Sequence, residues 1–532
     1  MDRRLDIRRR AGRAASVLRF GLSVRRYVRE RMTLEEAQAK VAQRMPRREE
    51  RFLSMVQRAV LSNAKSPYRK MLAEAGMDYG RLQGLVREHG LEGALEELRQ
   101  RGVFVAYEDF KAIDAHGRSD SEKFDRGVSF DNPFTGPGFS TRSSGTRSAG
   151  SRLVLDFASQ REMSAHWLLQ SAEFGMLNAV KARYFPILPS GAGIGAVLRA
   201  NYMRERLEAW FTPLDPRGAP WVHRLQTGLV TGALRLAGGT APRPQYVALS
   251  RPAPIARWLA ERGQKGQMCA LYGYASSVVR VCLAAKEEGL ELSGARFCLQ
   301  GEPVTEAKRE AVRAIGAVPV VVYSAMETGP LGSTCRESQG PDDMHFFTDS
   351  FAMIQHTRPV GPDGTPARPF LLTSLLAEAP KILLNVEIDD CGEVSERPCG
   401  CFWGRLGLTK RVRNVRSFVK LTTEGMTFVG TDLVQVIEGE LPQRFGGGPS
   451  DYQLLEEEDA QGRGRLSLRV SPKVGPVDDR DIVEHLYDRI RSGGAAARLF
   501  GDMWREAQSI HVVREEPQAT RGGKILPFHT LR

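Results

Sequence analysis

The chain has 532 residues and a mass of 59.0 kDa, which is more than one hydrophobic core usually organises, so a peptide or a lone binding module is excluded. Hydrophobic residues make up 42% and charged residues 26% of the sequence, a balance that excludes a largely disordered chain. Of the net charge of +13, residues 1–50 carry +8 and the other 482 residues carry only +5. A charge concentrated at one end argues against a nucleic-acid groove along the whole molecule, and we expect no specific nucleic-acid partner.

The first predicted elements are helices, from about Leu5 to Leu98. Apolar residues such as Phe52, Val56 and Val60 recur there every three or four residues, which is the spacing of one helix face. Arginines interrupt the first thirty residues and no later stretch approaches about 20 apolar residues, so we expect no signal peptide, no transmembrane segment and a cytoplasmic protein. The basic N-terminus offers peripheral contact with an anionic lipid surface, RNA or an acidic carrier protein; a solvated helical face is the alternative.

Strand and helix patterns alternate in the middle of the chain, from about Asn132 to Arg411. Runs typical of strands, such as Arg152–Phe157 and Ala317–Tyr323, are followed or preceded by helical runs, such as Ser159–Ser171 and Glu302–Ile315. Such alternation predicts an α/β unit with mixed sheets and helices.

The last part of the chain predicts a small α+β domain. A hairpin-like segment, Tyr452–Val470, is followed by an amphipathic helix, Asp479–Arg491, and a strand, Ser509–Val513. We therefore expect a helical basic extension and the start of the large domain in residues 1–125, a large domain in 126–411 and a small domain in 412–532.

Two segments are rich in small residues. Ser143–Gly150 precedes a predicted strand, and its backbone N–H groups and hydroxyls could converge on phosphate, with Arg147 or Arg152 adding charge; a purely structural turn is the alternative. Gly191–Ala196 has the form G-x-G-x-x-A, but no acidic residue stands about twenty residues further at the end of a second strand. We predict that this second run is a turn.

Four of the seven cysteines fall within 67 residues, which indicates a metal site in a reducing compartment. Thiolates and imidazole are the ligands that tetrahedral Zn²⁺ prefers, and unliganded cysteines are the alternative. Cys391 is a reserve ligand, and the apolar surroundings of the other three cysteines predict core thiols. The predicted ligands are Cys335, His345, Cys399 and Cys401; the predicted core thiols are Cys269, Cys282 and Cys298.

Four segments in chain order resemble motifs of the adenylate-forming superfamily of acyl-CoA synthetases, most closely its phenylacetate-CoA ligase and acyl-protein synthetase branch. They span about 380 of the 532 residues, and each is weak alone. The resemblance implies a large α/β domain followed by a small mobile α+β lid. The segments are Ser143-Ser144-Gly145-Thr146, which resembles the phosphate loop; Gly301-Glu302-Pro303, the adenine-flanking turn; Tyr323 to Gly329, the aromatic-x-x-x-Glu motif; and Gly522-Gly523-Lys524, the C-terminal lysine motif.

The resemblance also implies roles for individual residues. Tyr323 would stack on adenine, and Glu327 would hold the Mg²⁺ that bridges the ATP phosphates. Lys524 would be the catalytic lysine, beside the α-phosphate and the substrate carboxylate. Asp389 and Asp390 compete for the ribose hydroxyls. The family's phosphate loop usually has a lysine nearby. Here Arg147 follows Thr146 instead, and its guanidinium could supply the positive charge of that lysine.

By this resemblance the protein is an ATP-dependent acid–thiol ligase, which converts an aryl or fatty carboxylic acid to an acyl-AMP and transfers the acyl group to CoA. A carrier-protein or protein-cysteine thiol is the alternative acceptor, and a catalytically impaired nucleotide-binding scaffold is the rival from another class. Some similar ligases carry a structural zinc, which here would join the segment after Glu327 to that after Asp390. We expect a hinge near Arg413–Lys420 and an acid pocket lined by Leu271–Tyr274 and Ser324–Met326.

Overall fold

The structure is a computed structural model. No helix in the part of the chain that it describes is long and apolar enough to cross a membrane. It describes residues 23–116, 123–125, 127–136, 138–142, 152–188, 190–214, 221–360, 365–417, 422–423, 426–427, 433–458, 464–492, 505, 510–519, 525 and 527–530.

Helices form the first part of the described chain, as the sequence predicts. Thr33 begins one of them with reciprocal bonds to Glu36, the pattern of a capping box. Phe52, Val56 and Val60 are buried, which confirms the predicted helical spacing. The helices are α1 (residues 23–29), α2 (Leu34–Arg44), α3 (Arg48–Met55, continued by a π-helical turn over Val56–Leu61), α4 (Tyr68–Glu74), α5 (Tyr79–Gln100) and α6 (Tyr107–His116).

A sheet of twelve strands forms the centre of the molecule, in the order β11-β14-β15-β16-β10-β9-β8-β7-β6-β3-β4-β5. Its last six strands in this order are parallel to one another. The inner strands of this part are mostly buried, as expected when helices cover a parallel sheet, whereas the strand at its edge is partly exposed. These strands are β3 (Val180–Tyr184), β4 (Leu207–Thr212), β5 (Pro244–Tyr246), β6 (Cys269–Tyr274), β7 (Arg296–Gln300) and β8 (Val318–Ala325).

The other six strands of this sheet pair antiparallel. The sheet is therefore mixed, and the α/β class predicted from the sequence is confirmed. They are β9 (Gly329–Ser333), β10 (Met344–Phe346), β11 (Phe351–Gln355), β14 (Pro369–Ser374), β15 (Val386–Glu396) and β16 (Lys410–Ser417); the small pairs are β1 (Gly138–Arg142) with β2 (Arg152–Asp156), β12 (Arg358–Val360) with β13 (Thr365–Ala367), and β17 (Thr422–Thr423) with β18 (Met426–Thr427).

Helices alternate with the parallel strands. Asp156 caps the first of them by accepting a bond from the Ser159 amide. The helix predicted over Glu302–Ile315 is shorter, because Thr305 caps it and the preceding residues form a turn. The helices are α7 (Phe157–Glu173), α8 (Gly191–Tyr202), α9 (Trp221–Leu236), α10 (Ala253–Gln264), α11 (Ala275–Glu287), α12 (Glu306–Arg313) and the short α13 (Phe402–Arg405).

The prediction of a turn at Gly191–Ala196 is wrong, because this run is the start of α8. Ser190 caps the helix through a bond from the Ala192 amide. A Cβ at Gly193 would lie 2.5 Å from Trp210 Cζ2 and 2.7 Å from the Pro186 carbonyl oxygen, so only glycine fits there. The small residues serve close packing of helix on sheet.

A second, four-stranded sheet in the order β21-β20-β19-β22 forms the C-terminal part. The predicted hairpin is present as β19 paired antiparallel with β20. Its core contains Leu454, Leu468 and Leu486. The predicted small α+β unit is thus confirmed. Its elements are α14 (Leu433–Gln435, continued by a π-helical turn over Val436–Glu440), α15 (Leu441–Phe445), β19 (Tyr452–Glu458), β20 (Gly464–Val470), α16 (Asp479–Arg491), β21 (Ile510–Val513) and β22 (Phe528–Thr530).

Candidate active site and metal centre

Several predicted nucleotide-binding residues lie at the carboxyl edge of the parallel strands. Gly301, Glu302 and Pro303 directly follow β7, whereas Tyr323 lies near the end of β8 and Glu327 just after it. Since β7 and β8 are neighbouring parallel strands, these segments meet at one edge of the sheet. Ligands of open α/β sheets bind in the crevice outside this edge.

The Gly-Glu-Pro turn is held by polar contacts to two helices. The Glu302 carboxylate accepts bonds from the Ser276 amide at 2.8 Å and the Ser276 hydroxyl at 2.9 Å, so it neutralises the positive N-terminal end of α11. The buried Lys308 ammonium donates to the Pro303 carbonyl oxygen at 2.8 Å. Gly301 has φ +76°, a conformation that glycine adopts at no steric cost. These contacts fix the turn to α11 and α12.

Tyr323 contacts one of the two aspartates predicted to compete for ribose. Its hydroxyl donates to Asp390 Oδ2 at 2.8 Å. Burial, followed by the neighbouring Asp390 charge, raises the pKa of Tyr323 well above 10, so this hydroxyl remains a donor. The adjacent Asp389 is buried and has φ +85°. Such strain costs on the order of 1–3 kcal/mol and clusters at functional sites.

Glu327, the predicted Mg²⁺ ligand, is a buried carboxylate with a cationic partner. The Lys111 ammonium of α6 lies 2.9 Å from Glu327 Oε1. Sequence reasoning missed Lys111, which lies 216 positions away in a helix with no motif of its own. Carboxylate oxygen is the ligand type that Mg²⁺ prefers, but a Mg²⁺ ion at Glu327 Oε1 would have to displace the Lys111 ammonium.

The C-terminal tail reaches the same edge of the sheet. The Ile525 amide donates to the Ser276 hydroxyl at 3.1 Å, and Ile525 forms an antiparallel bridge with Ala519. Ser276 thereby joins the start of α11, Glu302 and the residue that directly follows Lys524. Lys524 itself lies outside the described residues.

The predicted phosphate-loop residues, Ser143, Ser144, Gly145, Thr146 and Arg147, also lie outside the described residues. The strands on either side are described: Arg142 of β1 pairs with Arg152 of β2.

A buried acidic group links the C-terminal unit to α12. Glu438 Oε1 lies 2.5 Å from the Lys308 ammonium, and Glu438 Oε2 accepts a bond from the Thr305 hydroxyl at 3.1 Å. Burial raises the pKa of Glu438 to about 7, despite the opposing attraction of Lys308. The carboxyl group therefore titrates near neutrality at this contact.

We expect Glu438→Gln to flatten the pH dependence of stability. The folded pKa of about 7 exceeds the ordinary 4.5, so the folded state binds more protons in this window. The contribution of Glu438 to the free energy of unfolding therefore has its largest value below about pH 4.5 and declines as the pH rises to about 7. The free energy of unfolding measured in urea between pH 5 and 7 should show this decline in the parent chain and lack it in Glu438→Gln. A Glu440→Gln control should keep it, and an unchanged slope in Glu438→Gln would refute the assignment.

The four predicted metal ligands lie together. One ligand atom from each of Cys335, His345, Cys399 and Cys401 falls within 4.8 Å of the others. The Cys335 and Cys399 sulfurs are 3.8 Å apart, the separation of about 3.8 Å that two sulfurs have around tetrahedral zinc with Zn–S bonds of about 2.3 Å. Cys401 Sγ lies 3.0 Å from His345 Nε2, so a bound ion requires a small widening of this pair.

Hydrogen bonds around the cluster orient the His345 ring and lower the pKa of the Cys335 thiol. His345 Nδ1 bonds to the Leu408 carbonyl oxygen at 2.6 Å, which leaves the Nε2 lone pair directed at the thiols. Bonds first from Cys401, then from His345, Ser338 and Arg411, hold the pKa of the Cys335 thiol far below its usual range. The bond with Cys335 in turn raises the pKa of Cys401, and burial raises that of Cys399, so one thiolate is favoured within the group. A metal binds the thiolate, so this Cys₃His group could hold a metal ion, and its composition fits zinc.

The remaining cysteines have no ligand partners of this kind in the described ranges. Cys391 lies on β15 outside the cluster, and burial raises its pKa to about 11. Burial also raises the pKa of Cys269 to about 11 and that of Cys298 to about 12, and Cys282 is buried as well. These thiols are protonated core residues.

A buried Ser-His-Asp group is present that the sequence did not indicate. His166 Nε2 lies 2.8 Å from Asp349 Oδ1 and 3.5 Å from the Ser350 hydroxyl. Both contacts use the same ring nitrogen, whereas a catalytic triad uses one nitrogen for each partner. Arg44 of α2 also bonds to Asp349, at 3.3 Å. The group therefore joins α2 and α7 to the sheet.

The segments expected to line an acid pocket lie at the carboxyl ends of β6 and β8. Leu271–Tyr274 is buried within β6, and Ser324–Met326 is half-buried. Tyr272, together with Arg183 and Gln300, lines a cavity of about 10 Å³. This volume accommodates about one water molecule.

Comparisons with known proteins give distant structural similarities. No protein-family model matches the sequence, and no curated protein matches it. The chain is similar to a 2-hydroxyisobutyryl-CoA ligase solved with 2-HIB-AMP and CoA: TM-score 0.44, 16% identity, covering 94% of this chain and 91% of that chain. It is also similar to O-succinylbenzoate coenzyme A synthetase from Bacillus subtilis, solved with ATP and magnesium: TM-score 0.41, 11% identity, covering 73% and 68%.

A third similar structure is an amide bond synthetase from Marinactinospora thermotolerans, with a TM-score of 0.39 and 10% identity, covering 87% of this chain and 97% of that chain. Scores this low carry no argument about activity or substrate.

Proposed function

We propose that this chain is an ATP-dependent, adenylate-forming acid–thiol ligase. It joins a carboxylic acid to AMP with release of pyrophosphate and then transfers the acyl group to a thiol. One observation carries the proposal: the residue after Lys524 bonds to Ser276 at the sheet edge that Glu302, Tyr323 and Glu327 share. Ile525, the described residue that follows the lysine motif in sequence, supports this proposal because it contacts a segment that resembles a nucleotide motif.

The adenosine half of ATP would lie between Tyr323 and the Gly301–Pro303 turn. A flat aromatic ring provides a stacking surface, and the turn flanks it. Asp390 or Asp389 would accept bonds from the ribose hydroxyls. The bond from Tyr323 to Asp390 supports placing both groups in one site, because it brings together residues 67 positions apart.

The phosphates of ATP would be bound by Ser143–Arg147, whose hydroxyls, backbone amides and arginine suit an anion. Glu327 would hold Mg²⁺, which neutralises phosphate charge when bound. The Lys524 ammonium would stabilise the charge that develops as a carboxylate oxygen attacks the α-phosphate and pyrophosphate leaves. The acyl-AMP product has a good leaving group, which the thiol then displaces.

The substrate we propose is an aryl or fatty acid, and the acceptor is CoA. A carrier-protein or protein-cysteine thiol is the second candidate acceptor. The predicted small domain begins at residue 412, but residues 412–417 belong to β16 of the central sheet. We therefore further propose that the chain after β16 forms a lid that rotates between the two half-reactions. The polar contacts of Lys308 with Glu438 suit such a lid, since they hold it through charge and hydrogen bonds.

Zinc at Cys335, His345, Cys399 and Cys401 would be structural. All four ligands come from the protein, which closes the coordination sphere. The metal would join the segment after β9 to the segment before α13. It would thereby fix the part of the sheet that carries Glu327 against the region that follows Asp390.

A hydroxamate-trapping screen tests the activity. The purified chain is incubated with ATP, Mg²⁺, hydroxylamine and single aryl or fatty acids, and acid-dependent hydroxamate and pyrophosphate are measured. Hydroxylamine intercepts the activated acyl group whatever the natural acceptor. We expect product with at least one acid and none without ATP. ATP binding without acid-dependent pyrophosphate release across the panel would instead support the scaffold alternative.

A further inference from the structure

Helix α9 has apolar side chains on two opposite sides. Val230 and Leu234 are buried in the core. Four other apolar residues fall within an arc of about 80° on the opposite side, at about 100° per residue. This outer face of α9 consists of Trp221, Leu225, Leu229 and Leu236, which are 70%, 52%, 63% and 92% exposed. A helix that is apolar on both sides normally has a partner on each.

The segment that contains this face is rich in positive charge. Residues 221–260 contain five arginines and no aspartate or glutamate, although the chain's average of 63 acidic residues in 532 predicts about five. Arg224 and Arg235 lie on α9 beside the outer face, and Arg243 and Arg251 are also exposed. Within the described ranges, no carboxylate pairs with Arg224, Arg243 or Arg251. These charges are available to an external anion.

The arginine-rich N-terminal region adjoins the same helix. Val28 of α1 packs beside Gly239, just after the end of α9, and both helices contribute to one core cluster. Arg25 and Arg26 of α1 are exposed. Two basic regions far apart in the sequence are therefore adjacent near the C-terminal end of α9.

We propose that the outer face of α9 docks onto an anionic phospholipid membrane surface. Trp221 and the three leucines would enter the boundary between headgroups and acyl chains, while the arginines bind lipid phosphates. A Trp/Leu face flanked by arginine is the pattern of helices that lie in the membrane interface. Each arginine near an anionic surface adds to the attraction. This binding function is separate from the proposed ligase activity.

Charge complementarity favours this occupant over two others. A second copy would bring the same arginines against one another across a two-fold axis. Residues 1–22 carry seven arginines and two aspartates, so this segment would be repelled by the arginines around α9. An anionic lipid surface can bury the apolar side chains of the outer face and pair with the nearby arginines at the same time.

Vesicle sedimentation tests the proposal with the full chain. We expect binding to phosphatidylcholine vesicles that contain about 30% phosphatidylglycerol, weaker binding to phosphatidylcholine alone, and weakening at 0.5 M salt. The double variant Leu225→Glu/Leu229→Glu should reduce binding by about tenfold or more. Leu177→Glu alters a leucine that is 39% exposed outside α9 and should leave binding unchanged. Circular dichroism should show that all variants fold.

Tryptophan emission supplies an independent measurement. Vesicles should shift the emission of the parent chain to shorter wavelength, and Trp221→Phe should remove the shift while most of the chain still sediments. Absence of binding to anionic vesicles, or an equal loss in Leu177→Glu, would overturn the proposal. So would a dimer in solution that the double variant converts to a monomer, because the face would then be a contact between copies.

Discussion

Replacing Lys524 by alanine should lower the rate of acid-dependent pyrophosphate release about 10²- to 10³-fold. A fixed ammonium at the reacting phosphate stabilises charge that develops only in the transition state, and removal of one such donor has an effect of this size. The rate is measured with ATP, Mg²⁺ and an acid identified by the hydroxamate screen. Binding of ATP should change much less, since the contacts proposed for Tyr323 and Glu327 do not involve Lys524.

A second measurement separates this role from a general loss of structure. Transfer of the acyl group from preformed acyl-AMP to CoA should be nearly unaffected in Lys524→Ala, because the proposed lid withdraws the lysine for that step. Lys473→Ala removes an exposed lysine of the same C-terminal unit and should behave like the parent. Equal rates for Lys524→Ala and Lys473→Ala would disprove the catalytic role of Lys524.

Replacing Cys401 by serine should abolish stoichiometric zinc and lower the thermal midpoint. Zinc binding contributes directly to folding stability, and loss of a metal is among the changes that cost more than about 3 kcal/mol. The loss should be smaller than in metal-folded peptides, because extensive cores surround the cluster. Metal analysis by mass spectrometry should find one zinc per parent chain, and calorimetry should find the lower midpoint in Cys401→Ser.

Cys391→Ser is the matched control, since Cys391 is a buried thiol outside the cluster. It should retain zinc. A chain purified without metal whose midpoint does not rise on addition of zinc would contradict the structural role. Equal metal content in the two variants would contradict the ligand assignment.

The elements that the sequence predicted well are those with local signals. The helix Asp479–Arg491 matches its predicted bounds, and acidic residues in its first turn and basic residues in its last favour it. The prediction failed where contact with a distant residue determines the secondary structure. Gly191–Ala196 resembled a turn, but Trp210 of another strand needs small residues there and the run is helical.

The site divides in the same way. The family resemblance suggested Tyr323 and Glu327, and residue type and spacing suggested the cysteines, because both kinds of signal lie in short motifs. Their partners come from far along the chain. Lys111 lies 216 positions from Glu327, and the Leu408 carbonyl oxygen lies 63 positions from His345. Such pairs depend on the assembled sheet, which a single sequence does not reveal.

The hydrogen bond from the Ile525 amide to Ser276 gives the molecule an internal reporter. Ile525 is buried, and its amide exchanges with deuterated solvent only when the tail leaves Ser276. The exchange rate of this single amide therefore reports how readily the tail separates from Ser276. It would quantify the resting population of open chains before any nucleotide or acid is added.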